Sequence, residues 1–148
     1  MSPAGLNVGV RALGLPTRVV SVSPIVYPEP RADEIARIAN ACAKRLDLGD
    51  VFAPADIEVD DDYIGAAYGH VSKAGLEAIE LLARTEGIML DPVYTSKGMS
   101  GLIDHVRKGI IPPGKTVVFV HTGGLPALFA YADDLGLSPP RQGFDALL

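Results

Sequence analysis

Apolar positions along this chain recur at two spacings, and the switches between them set out an order of elements. Leu6, Val10 and Leu13 fall at helical intervals, with Gly14 and Pro16 as a stop, so 4–13 reads as a helix. The β-branched run Arg18-Val19-Val20-Ser21-Val22-Ser23, ended by Pro24, reads as a short strand. Ile35, Ile38, Ala39, Cys42 and Leu46 then place one apolar face on an amphipathic helix over 31–48. Residues 49–69 are acidic and rich in loop formers, with a short strand at 57–59. Helical spacing returns over 73–86, with Gly87 as its stop, and Ile88-Met89-Leu90 forms a short apolar strand. A further helix is expected over 96–108, with Met99, Leu102, Ile103 and Val106 inward. The continuous apolar run of 115–120 has the composition of a strand buried on both faces, and Gly123-Gly124 opens a helix through 125–131.

Short strands alternating with longer helices predict an α/β fold, an open and mostly parallel sheet flanked by helices, with any ligand beyond the carboxyl ends of the strands. No repeat or linker divides 1–148, so a single α/β unit is expected. A length of 148 residues suffices for one domain that buries about two thirds of its unfolded surface. Hydrophobic residues make up 48% and charged residues 21%, which argues against disorder. The net charge of −5 argues against a nucleic-acid or anionic-membrane partner, though helix ends can still bind small anions. Cys42 is the only cysteine, so no internal disulfide forms. There is no basic-then-apolar leader and no run of 18 apolar residues, and a cytoplasmic location is expected.

Chemistry concentrates near two strand ends. His121-Thr122-Gly123-Gly124 follows a strand and precedes a helix, so its glycines can bring backbone amides close to a ligand, or serve only as a turn. Neither G-x-G-x-x-G nor G-x-x-x-x-G-K-[ST] is present. His70, His105 and His121 lack metal-ligand spacing, Cys42 suits a small core residue, and Asp60, Asp61 and Asp62 suit a solvated loop. No metal site is therefore expected. Tyr68 and Tyr94 sit in loops beside glycine or in a proline turn, where an aromatic either meets a ligand or plugs the loop.

These residues carry a resemblance. Tyr68-Gly69, the helix from Ala74 to Ile79, the run from Ala83 through Asp91-Pro92-Val93-Tyr94-Thr95-Ser96-Lys97, and His121-Thr122-Gly123-Gly124-Leu125-Pro126 resemble the C-terminal half of the D-cysteine desulfhydrase and 1-aminocyclopropane-1-carboxylate deaminase family. These are pyridoxal-phosphate enzymes of the tryptophan-synthase-β-like fold. The resemblance implies that Tyr94 approaches the substrate amino group and cofactor, with Tyr68, 26 positions earlier, as the second active-site tyrosine. It also implies that Thr95 stands where the deaminases carry a glutamate near the pyridine nitrogen. Thr122 stands where they carry leucine and the desulfhydrases threonine. Thr95, Thr122, Gly123 and Gly124 are thus the expected cofactor contacts, and both threonines favour the desulfhydrase branch, which releases pyruvate, ammonia and sulfide. A deaminase-like fragment and a non-catalytic binding or interaction module are the alternatives.

In the family the Schiff-base lysine, the residues that grip the substrate carboxylate and most of the phosphate loop lie in the N-terminal half. The start of this chain resembles only the end of that loop, and Lys44, Lys73, Lys97, Lys108 and Lys115 match surface or helix positions. The expectation is a fragment, split half or remnant that is inactive or nearly so alone, because that lysine both holds the cofactor and moves the α-proton. Its expected partners are a small amino-acid substrate and either an N-terminal half or a second copy.

Overall fold

The computed structural model describes residues 1–49 and 52–136, so Asp50 and Val51, within the expected acidic loop, and residues 137–148 lie outside the account below. The chain divides into two compact units, Met1–Tyr68 and Gly69–Leu148.

In the first unit the order is α1 (Ser2–Ala12), β1 (Val20–Val22), α2 (Arg31–Arg45), a 3-10 turn (Pro54–Asp56) and β2 (Glu58–Asp60). The strands β1 and β2 pair in parallel, with Val20 opposite Glu58 and Val22 opposite Asp60. Helix α2 forms where small and β-branched residues meet the core: Ile35, Ala36, Ala39 and Ala43 are buried together with Ala4 and Val8 of α1, Phe52 and Ile57. Asp33 and Glu34 in its first turn and Lys44 and Arg45 in its last match the helix dipole. The expected face packs inward, with Ile35 and Ala39 buried and Ile38 and Cys42 against the core, but Leu46, expected inward, sits at the helix C-cap and is exposed. Asn40 ties α2 to the chain after it, accepting from the Phe52 N–H at 2.7 Å and donating to the Phe52 carbonyl at 2.9 Å. The guanidinium of Arg11 stacks 3.8 Å above the Phe52 ring and pairs with Asp56.

In the second unit α3 (Lys73–Glu86) lies against α4 (Thr95–Arg107), and a short α5 (Ala127–Ala130) follows. The α3 boundaries are those expected from the sequence, because both ends are capped chemically. The Ser72 hydroxyl accepts from the Gly75 N–H at 3.0 Å, and Gly87 takes the left-handed conformation at φ 68°. Ala78, Ile79, Leu90 and Met99 form the core, with Leu82, Leu102, Ile103 and Phe119 packed against it. Space is tight where the two helices approach: a Cβ on Gly75 would meet the Ser72 and Ser96 hydroxyls at 3.2 and 3.3 Å. Arg107 donates to both oxygens of Glu77, at 2.5 and 3.2 Å.

The α/β class stands, with two corrections in the second unit. The strands expected at 88–90 and 115–120 are not strands among the described residues. A strand exists only with a hydrogen-bonded neighbour, and no described backbone group pairs with 115–120. Leu90 and Phe119 reach the α3–α4 core, but Ile88, Met89, Val117, Val118 and Val120 are exposed, so the run expected to be buried on both faces is not. The helix expected over 125–131 is shortened to Ala127–Ala130, behind Pro126. Among the described residues, no helix is long and apolar enough to cross a membrane.

Replacing Ile35 with alanine should cost the first unit about 2–5 kcal/mol in urea unfolding, whereas Leu46→Ala should stay within about 0.5 kcal/mol. Acid should also destabilise the chain. The Ala53 N–H and then Arg11 hold the Asp56 carboxyl below the usual range, and Arg37 does so for Glu34 and Arg107 for Glu77. A carboxyl with a lower pKa folded than unfolded stabilises at neutral pH and loses that contribution as pH falls through the ordinary value toward the folded one. The urea midpoint should therefore drop below about pH 5, and drop less at 1 M salt because these pairs lie at the surface.

Candidate functional site

The site of the second unit begins with Asp91, whose side chain is 0% exposed. A buried carboxylate must be satisfied by donors, and here it receives four. Oδ2 accepts from the Val93 and Tyr94 N–H groups, each at 2.8 Å. Oδ1 accepts from the Thr95 N–H at 2.8 Å and the Thr95 hydroxyl at 2.6 Å. The Asp91 N–H donates in turn to Thr95 Oγ1 at 2.8 Å, and the Ser96 N–H reaches the Asp91 carbonyl at 3.0 Å. Asp91 thus caps α4 through the Pro92-Val93-Tyr94 turn, with proline where its missing N–H is not needed.

A second loop closes onto the same carboxylate. Gly124 has φ 96°, and a Cβ there would come within 2.5 Å of the Asp91 carboxyl carbon. His121 holds the start of this loop: its Nε2 lies 2.9 Å from the Met89 carbonyl, and its Nδ1 lies 3.3 Å from the Gly123 N–H. The Gly123 N–H can only donate, so Nδ1 is the acceptor and the ring proton sits on Nε2, facing the carbonyl.

The expected site residues therefore take different positions. Tyr94 is 42% exposed at the start of α4, and Thr122 is exposed beside Gly123, where nothing lies within 4 Å of an added Cβ. Thr95 is buried, with its hydroxyl both donating to and accepting from Asp91. Tyr68 closes the first unit and is exposed. The second unit brings the Tyr94 turn and the Gly123–Gly124 loop together across Asp91.

Asp91 was missed as a site residue, although Asp-Pro two residues before a helical run is a legible cap signal. Lys97, expected with the other lysines at a surface or helix position, is helical but 1% exposed, and burial pushes its pKa down from the ordinary lysine value. No periodic signal marks it, because Ser96, Lys97 and Ser100 are buried together in a polar stretch that reads as solvent-facing. The Ser96 hydroxyl is buried without a hydrogen-bond partner among the described residues. Among those residues no three His, Cys, Asp or Glu side chains lie together as a metal group would require.

Comparison with known proteins gives this geometry its family. Residues 2–123 match the family model described as pyridoxal-phosphate dependent enzyme. The 1-aminocyclopropane-1-carboxylate deaminase of Burkholderia vietnamiensis is 45% identical over 130 residues, 88% of this chain and 38% of that protein. The enzyme of the same name from Ralstonia nicotianae is 43% identical over 129 residues, 87% of this chain and 38% of that protein. A crystal structure described as an ACC deaminase homologue aligns with TM-score 0.77 and 31% identity, covering 91% of this chain and 40% of that one. The chain thus spans about two fifths of the length of these relatives.

The residues present suit the ring end of pyridoxal phosphate. Gly123 leaves open space for close backbone approach, Thr122 offers a hydroxyl beside it, and Tyr94 presents an aromatic ring at the neighbouring turn. Gly124 is filled from the inside by Asp91 and cannot carry a side chain. Gly124→Ala should therefore destabilise the chain by about 1–3 kcal/mol through backbone strain, with a further loss from the clash. Gly123→Ala, at φ 101° but with nothing near, should incur only the strain, and thermal melts of the two variants would rank them.

Proposed function

Since this chain belongs to the pyridoxal-phosphate-dependent enzyme family, we propose that it supplies the ring- and substrate-facing loops of a lyase that converts D-cysteine to pyruvate, ammonia and sulfide. The carrying observation is Thr122, a hydroxyl on the loop that Asp91 and His121 hold beside the Tyr94 turn. When bound, pyridoxal phosphate supplies an electron sink for the substrate α-carbon. The chain's own residues bind and orient. Thr122 would offer the pyridine nitrogen a neutral hydroxyl, which suits departure of a good leaving group such as thiolate. Gly123 would let the ring come close to the backbone, and Tyr94 would direct its phenol to the substrate amino group. Thr95 takes part by position, because its hydroxyl is already engaged by Asp91. Tyr68 is assigned to the same substrate on the resemblance alone. The whole reaction is proposed for a site completed by residues outside 1–148, since the chain spans 38% of its matched relatives.

A second reading is 1-aminocyclopropane-1-carboxylate deamination. It is supported by the names of relatives at 43–45% identity. Both reactions end in a 2-oxo acid and ammonia, and they differ in the bond that breaks.

Titrating the isotope-labelled chain with pyridoxal phosphate should shift the amide resonances of Tyr94, Thr122, Gly123 and Gly124 and leave α2 unmoved. Absence of any response at those four residues would count against the cofactor reading. With the remaining portion of a relative added, sulfide from D-cysteine supports the first reading, and 2-oxobutanoate from the cyclopropane amino acid supports the second. Thr122→Leu should lower sulfide release about tenfold, the equivalent of one hydrogen bond.

A further inference from the structure

We propose that Asp91 is the positioning residue that couples the two ligand loops, setting the Tyr94 turn and the Gly123–Gly124 loop at one fixed separation. The inference rests on the reading of those loops as the cofactor site, but its geometry stands independently of it. The carboxylate is fully buried. One face of its chemistry is spent on the turn: both oxygens are filled by donors from Val93, Tyr94 and Thr95. Its other contact is steric. The position of an absent Cβ on Gly124 lies 2.5 Å from the carboxyl carbon and 2.6 and 2.9 Å from its two oxygens, so the Gly124 backbone rests directly on the group. His121, bonded to the Met89 carbonyl two residues before Asp91, gives the same loop a second point of attachment. A loop held at one end by the Met89 carbonyl and resting at the other on a fully hydrogen-bonded carboxylate cannot shift at Gly124 unless that carboxylate turns, and turning it breaks the bonds that place Tyr94. Asp91 therefore passes any displacement of one loop to the other.

The coupling is tested on the full chain with isotope labels. Thr95→Val removes the hydroxyl that donates to Asp91, while the hydrogen bonds that hold His121 and Gly123 do not involve Thr95. It should nonetheless shift the Gly123 and Gly124 amide resonances and speed hydrogen exchange of 121–124 by about tenfold. Asp91→Ala should have a larger effect. Asp91→Asn should fall between the two, because one amide oxygen can still accept from the turn while its NH2 faces the Thr95 N–H. If Asp91 only fills space, Thr95→Val will lower the melting temperature and leave hydrogen exchange of 121–124 at the wild-type rate, which would overturn the proposal. If the Asp91 variants fail to fold, a double-mutant cycle of Thr95→Val with Gly124→Ala decides it. Coupling of about threefold or more in the folding constant is expected, and additivity overturns it. A wild-type chain that ignores pyridoxal phosphate while showing the Thr95-to-Gly124 coupling would sink the cofactor reading and leave this inference standing.

Discussion

A carboxylate removed from water has to be paid back in donors, and in the second unit that single requirement organises everything near the site. Asp91 finds its donors in the three residues that follow Pro92 and in the hydroxyl of Thr95. Meeting them fixes the direction in which α4 starts, which in turn sets where Met99, Leu102 and Ile103 meet α3. It also dictates glycine at position 124, since no side chain fits between that backbone and the buried group. Helix start, core packing and loop closure thus share one cause.

That arrangement separates the site's two threonines by role. Thr95 lies inside the cap, and its hydroxyl has both its donor and its acceptor capacity engaged. Thr122 stands on the open side of the loop, beside a glycine with space around it. Two residues that look equivalent in a string of letters differ in what they can offer a ligand. The distinction matters for chemistry, because the group beside the cofactor ring nitrogen decides how strongly that ring withdraws electrons. The chain belongs to the pyridoxal-phosphate-dependent family and spans about two fifths of the length of its matched relatives.

Much of the fold was legible before any coordinates. Amphipathic spacing and glycine stops located α2, α3 and α4 to within a few residues, and Gly87 marked the end of α3. These signals are local: a helix satisfies its own backbone, and its caps lie within four residues of the ends. The short strands β1 and β2 were legible for a similar reason, as β-branched runs bounded by turn residues. The site loops were legible as chemistry, through Tyr94 and the glycines after His121.

What the letters alone determined, then, was the α/β class, the order of elements in the first unit, α2, α3 and α4 to within a few residues, and a cofactor family. The tertiary structure decided which side chains are spent internally. The run 115–120 has strand composition but no strand among the described residues, because pairing depends on a neighbour that composition does not specify. Lys97 lies buried in a stretch that reads as polar, and Asp91 lies under Gly124, 33 positions away in sequence. Burial and close approach come from segments distant along the chain, so no local spacing carries them, and they determine whether a hydroxyl or carboxylate faces a ligand or its own backbone.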